Sequence, residues 1–256
     1  MHSGFIKAAG RNLEYQLIPA HQINRPTLVL LHEGLGSVAM WRDFPARLAA
    51  ATGCRILVYS RYGYGQSDVL EKAFKPDFMH HEAREALPAV LAALDIENPV
   101  LVGHSDGASI ALLYSGGGYP AAGLVVLAPH CFVEGIAIRS IAAAKLAFET
   151  TDLPAKLGKY HRDANRTFYG WYDMWLDPGF LDWNIEDCLP HIRCPILAIQ
   201  GEDDEYGTMA QIEAVAAQAS NSPDVELLKL ADCRHSPHRD QTAAVIDAIA
   251  RFTDIV

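Results

Sequence analysis

The chain has 256 residues, half of them apolar and a fifth charged, which suits one globular α/β domain able to bury a core without disulfide staples. Its net charge of −10 argues against nucleic acid, whose phosphates call for a basic surface. No apolar run reaches the ~18 residues of a membrane span, no basic-then-apolar leader opens the sequence, and the five scattered cysteines form no Cys-x-x-Cys pair, so free thiols and a cytoplasmic location are expected.

Residues 5–17 carry a turn signal at Ala9-Gly10-Arg11-Asn12 and predict an antiparallel hairpin on a sheet edge. Residues 27–31 form the first apolar, β-rich run, followed by His32-Glu33-Gly34-Leu35-Gly36-Ser37. An amphipathic segment at 41–51 places Phe44, Leu48 and Ala51 on one face. A second strand-like run, 55–59, leads into Ser60-Arg61-Tyr62-Gly63-Tyr64-Gly65-Gln66-Ser67. That loop suits tight turns; it lacks the Lys-Ser or Lys-Thr ending of a phosphate cradle and the spacing of a dinucleotide loop. Residues 82–94 group Leu87, Val90, Leu91 and Leu94 on one helical face. Just before them, His80 and His81 point about 100° apart on a helix and do not converge on a metal ion.

Further strand-like runs follow at 99–102, 124–127, 196–199 and 225–230, with helical segments at 210–219 and 242–252. Strands that are apolar at successive positions are expected where both faces are covered, so the predicted fold class is α/β with a doubly wound, mostly parallel sheet. The rhythm breaks at 132–190, which has helical patterning at 138–149 and then Phe168, Tyr169, Trp171, Tyr172, Trp175, Phe180 and Trp183. This predicts a helical cap, 132–190, inserted in a core made of 1–131 and 191–256. The excess of basic residues between Arg139 and Arg166 reads as a solvated cap surface; a docking surface for an anionic substrate is the sharper alternative.

Gly103-His104-Ser105-Asp106-Gly107 fits Gly-x-Ser-x-Gly, the pattern of a strained turn that lifts a serine hydroxyl clear of a sheet. Its context is the required one, an apolar strand before it and a helix from Ala108 to Tyr114 after it. A serine needs a base, and the base needs a carboxylate to hold its tautomer. Ligands sit at the carboxyl ends of the strands in such sheets. Two places there supply the groups: Gly201-Glu202-Asp203-Asp204-Glu205, and Cys233-Arg234-His235-Ser236-Pro237-His238.

On these motifs the chain resembles the α/β-hydrolase superfamily over almost its entire length. The resemblance implies an α/β-hydrolase fold in which Ser105 is the nucleophile, Asp204 the acid with Asp203 as alternative, and His235 the base ahead of His238. Relatives commonly have Gly-His where this chain has Arg234-His235. The oxyanion donors implied are the N–H of Asp106 and that of Gly34, with Leu35 also possible, since His32-Glu33-Gly34 departs from the usual His-Gly. Glu33 is either a structural hydrogen-bonding residue or a charge in the pocket. The implied activity is cleavage of a carboxylic ester or thioester through an acyl-serine, with a small-molecule substrate and neither metal nor organic cofactor. Carbon–carbon bond hydrolysis of ring-cleavage products, cofactor-free acyl transfer or perhydrolysis, and a non-enzymatic ligand receptor are the alternatives on the same fold.

Overall fold

The computed structural model describes residues 2–256. The strands are β1 (His2–Ala8), β2 (Arg11–Ile18), β3 (Thr27–Leu31), β4 (Arg55–Tyr59), β5 (Val100–His104), β6 (Gly123–Leu127), β7 (Ile196–Gly201) and β8 (Val225–Leu230). They form one sheet in the order β1-β2-β4-β3-β5-β6-β7-β8. β1 pairs antiparallel with β2 and β2 antiparallel with β4; every later pairing is parallel. The expected edge hairpin is present. Ala9 and Gly10 both take positive φ, 47° and 75°, and Ala8 lies opposite Arg11, so a two-residue turn closes it.

Helices cover both faces. α1 (Phe44–Thr52) and α10 (Thr242–Thr253) pack Phe44, Leu48, Val245, Ile249 and Phe252 against Leu28, Leu30, Val102 and Leu197. On the other face lie α2 (Phe78–His81), α3 (Leu87–Ala93), α4 (Asp106–Gly116) and α8 (Ala210–Gln218), which meet Val29, Leu31, Leu101 and Val126. Alternate residues of each strand thus enter opposite cores. This is why the strands read as continuous apolar runs.

Between β6 and β7 the chain forms α5 (Gly135–Thr150), α6 (Leu153–Leu157) and α7 (Ala164–Trp175), and no strand. Most of its aromatics are buried, with Phe148 and Phe168 stacked 3.9 Å apart. α9 (Pro237–Asp240) is a single turn before α10.

Several boundaries differ from expectation. The segment at 41–51 splits: Val38–Trp41 is a 3-10 turn, Arg42 takes φ 54°, and α1 starts at Phe44 with Pro45 in its first turn. Ala51 faces solvent rather than joining Phe44 and Leu48, and Thr52 takes the buried position. The helix expected at 82–94 begins at Phe78 and contains a π-turn at Glu82–Ala86.

Candidate active site

Ser105 stands where β5 gives way to α4. Its φ of 53° and ψ of −120° lie where L-residues are rare, at a cost of about 1–3 kcal/mol. Glycines make the bend possible. A Cβ on Gly103 would run into the Gly107 carbonyl and Ala108, and one on Gly107 into the Leu31 carbonyl. The Ser105 N–H donates to the Leu127 carbonyl at 2.9 Å, tying the turn to β6.

Asp204 and His235 come from the loops after β7 and β8. Ser105 Oγ lies 2.9 Å from His235 Nε2. His235 Nδ1 lies 2.8 and 3.0 Å from the two oxygens of Asp204. With Nδ1–H donating to the carboxylate, Nε2 is left as an acceptor facing the serine hydroxyl. Gly201 allows the two loops to meet, since a Cβ there would strike the Cys233 and Arg234 carbonyls.

The structure separates the two aspartates. Asp204 is 7% exposed and faces His235, while the Asp203 side chain is in solvent. Asp204 Oδ1 also accepts from the N–H groups of Tyr206 and Gly207, at 2.8 and 3.2 Å. Burial pulls the Asp204 pKa upward, but the hydrogen bond and charge of His235, with the Tyr206 N–H, outweigh it and hold the pKa below the usual value. His238 is buried against His104 at 4.7 Å, and neither of its ring nitrogens is hydrogen-bonded. It makes no hydrogen bond to Ser105.

The loop after β3 is held from beneath. Arg61 Nη2 donates to the His32 and Glu33 carbonyls at 3.2 and 3.0 Å, and the Arg61 N–H donates to His32 Nε2 at 3.0 Å. Burial and the nearby Arg61 push the His32 pKa well down, so its ring is a neutral clamp. Arg61 also approaches Asp106 Oδ2 at 3.6 Å. One guanidinium therefore ties the Gly34 loop to the residue following the serine. Ser60 extends this lattice, donating to Glu14 at 2.7 Å and accepting from the Val38 N–H at 2.9 Å.

Gly34, Leu35 and Asp106 wall the same cavity as Ser105 and His235. It measures about 200 Å³, with Ile141 of α5 and Trp171 and Trp175 of α7 opposite. A Cβ on Gly34 would collide with the Trp171 indole. Glu33 also lines the cavity: Oε1 accepts from Arg239 at 3.1 Å, and Oε2 lies 3.4 Å from His104 Nδ1. Burial raises its pKa, but His104 and Arg239 outweigh that and hold it well below the ordinary carboxylate value. A larger cavity of about 370 Å³ is lined by Leu13, Leu70, Phe74, Phe78 and Glu82, and Ser105 is not part of it.

Sequence reasoning missed His130, which follows β6. Its Nε2 lies 3.4 Å from Ser105 Oγ. The basic residues of the 132–190 segment are largely paired with nearby acids. Lys145 meets Glu149, Lys156 meets Asp152, Arg162 meets Asp68, and Arg166 meets Asp163. Among the described residues, no group of three or more His, Cys, Asp or Glu is placed to hold a metal ion, and no helix is long and apolar enough to cross a membrane.

The family model described as the Alpha/beta hydrolase family matches residues 28–248. Among solved structures, an esterase from Exiguobacterium antarcticum superposes with a TM-score of 0.77 at 18% identity, covering 99% of this chain and 100% of the other. The enol-lactonase from Burkholderia xenovorans gives 0.74 at 17% identity, covering 97% and 99%. At these identities the likeness is one of fold. A proline iminopeptidase from Lactiplantibacillus plantarum is 32% identical over 107 residues, which is 41% of this chain. The match spans 36% of that curated relative's length.

Proposed function

The chain belongs to the alpha/beta hydrolase family, and from that premise we propose that it is a serine hydrolase cleaving a small carboxylic ester or thioester. The observation that carries this reading is the unbroken run of hydrogen-bond distances from Asp204 through His235 to Ser105.

In the proposed reaction His235 Nε2 takes the hydroxyl proton as Ser105 Oγ attacks the acyl carbon. Asp204 fixes the His235 tautomer and stabilises the imidazolium. The N–H groups of Gly34 and Asp106 receive the oxyanion, where preorganised donors typically contribute about 3–4 kcal/mol each. His235 then protonates the leaving alcohol or thiol. Water, activated by the same histidine, releases the acid from Ser105. The 132–190 segment acts as the cap, and its Trp171, Trp175 and Ile141 form the apolar wall for the acyl group. A reducing, cytoplasmic setting suits the five free cysteines.

Ser105→Ala should fold like the wild type and lower turnover of p-nitrophenyl acetate by ~10⁴ or more. Circular dichroism checks the fold and p-nitrophenol release checks the rate. Retained turnover would remove Ser105 from the nucleophile's role.

A further inference from the structure

We propose that His130 is a second hydrogen-bond donor to the nucleophile's oxygen and acts chiefly when the acyl-enzyme breaks down. This rests on the serine-hydrolase reading and goes beyond the Asp204–His235–Ser105 relay.

The position of the ring is built rather than incidental. The chain leaves β6 through Ala128, whose φ of 47° is strained for a residue with a Cβ. That bend turns Pro129 and His130 back toward Ser105. The Ser109 hydroxyl, one turn into α4, donates to the His130 carbonyl at 2.6 Å and accepts from the His130 N–H at 3.0 Å. The helix that begins at the nucleophile thus also fixes the backbone of His130. Trp175 packs against the imidazole at 4.9 Å, and the residue is 2% exposed.

The tautomer follows from satisfaction of polar hydrogens. His130 Nδ1 is buried and has no partner. A proton there would leave a buried N–H without an acceptor, which is costly. It would also set the Nε2 lone pair against Ser105 Oγ, whose one proton already points to His235. With the proton on Nε2, His130 donates to Oγ and no polar hydrogen is left unpaired. Burial, then the nearby charge of His235, push the His130 pKa down to about 3, so the ring stays a neutral donor at ordinary pH. At 3.4 Å the contact is long at rest, and such contacts tighten as charge develops.

The consequence differs between the two half-reactions. In acylation Oγ gives its proton to His235 and its electron pair to the acyl carbon, so a donor on Oγ helps proton loss but weakens attack. In deacylation the water oxygen adds to the acyl carbon and its proton goes to His235. The C–Oγ bond then breaks, the electron pair returns to Oγ, and Oγ takes the proton from His235. A donor on Oγ favours that departure. His130 keeps its own proton throughout.

The test compares wild type, His130→Phe and His130→Gln with p-nitrophenyl acetate. Phenylalanine keeps a ring but has no donor; glutamine restores an N–H near the place of Nε2. Acylation is read from p-nitrophenol release with enzyme in excess, and deacylation from decay of the acyl-enzyme by quenched intact-mass spectrometry. His130→Phe should acylate within about threefold of wild type and deacylate about 10-fold or more slowly, with His130→Gln returning deacylation to within about threefold. Wild-type deacylation in His130→Phe, equal loss in both steps, or a glutamine variant as slow as phenylalanine would each overturn the assignment. If His130→Phe does not fold, His130→Asn, which sets its donor at the Nδ1 position, takes its place against His130→Gln with the same criteria. Fluorophosphonate labelling separates the two readings. An unlabelled wild-type Ser105 sinks the serine-hydrolase proposal and this one together; a labelled Ser105 with an indifferent His130 sinks this one alone.

Discussion

At the scale of single residues, the contrast in burial between Asp203 and Asp204 is the sharpest consequence of the loop after β7. Only Asp204 is buried against His235. Asp204→Asn should lower kcat by ~10⁴, because an amide cannot hold Nδ1–H in the donating tautomer. Asp203→Asn should stay within about threefold, as for an ordinary surface change. Steady-state kinetics on both variants decides it; similar losses would contradict the geometry. Ser105, Asp204 and His235 were legible because a strained serine turn leaves a glycine pattern and chain order restricts its partners. The resemblance puts Asp204 first and keeps Asp203 as the alternative, since a one-residue shift of a turn leaves composition unchanged; burial is what distinguishes the two side chains in the structure. His130 also follows a strand end. A relay uses one histidine, however, so a second one has no place in a motif search, and only the turn at Ala128 reveals where it points.

The elements of the 132–190 segment set the reach of the cavity. About 200 Å³ is below the roughly 300–1,000 Å³ of sites for drug-sized ligands, so the proposed hydrolase is expected to prefer short acyl groups. Trp171, on the last turns of α7, lies directly over Gly34. Trp171→Ala should raise kcat/KM for octanoyl relative to acetyl esters by about 10-fold or more, since even one methylene accommodated in a pocket contributes about 1–3 kcal/mol. An ester series from acetyl to octanoyl measures it, and an unchanged ratio would remove Trp171 from the acyl wall. The segment's existence was readable from a broken strand–helix rhythm, but its packing was not. Aromatic residues at 168–183 could serve a core or a pocket, and in the fold they serve both. The π-turn at Glu82–Ala86 left no trace in the apolar period. It sits where the Tyr59 hydroxyl donates to Glu82 at 2.9 Å, a contact between elements distant in sequence.

For the whole molecule, buried neutral histidines weaken the fold in acid, against the smaller number of buried carboxylates, Glu82 and Asp106, whose pKa values burial raises. His32, His130, His161 and His238 are all held below the ordinary value, by burial in the first place. In the unfolded chain each takes up a proton below about pH 6.5, while the folded ring resists down to about 3 for His130. The unfolded state then binds more protons, so stability is full above pH 6.5 and falls as pH drops, by up to about 1.4 kcal/mol per pH unit for each buried ring. Asp204, with its lowered pKa, adds stability above the unfolded carboxylate value that is lost only at lower pH still. Urea midpoints at pH 5, 6, 7 and 8 should rise up to neutrality and then level, and a flat series would contradict the burial argument. The mostly parallel sheet and its edge hairpin were legible from apolar runs and a turn. The order β4-β3-β5 was not, because periodicity reports which faces are covered and is silent on neighbours.

In the proposed function, Ser105 carries the acyl group. The direct measurement is to mix the wild type with p-nitrophenyl butyrate, quench in acid within milliseconds, and map the adduct by peptide mass spectrometry. A butyryl group on the peptide that contains Ser105, absent from Ser105→Ala, is the expected result. Turnover with no adduct, or with the adduct on another residue, would contradict the account.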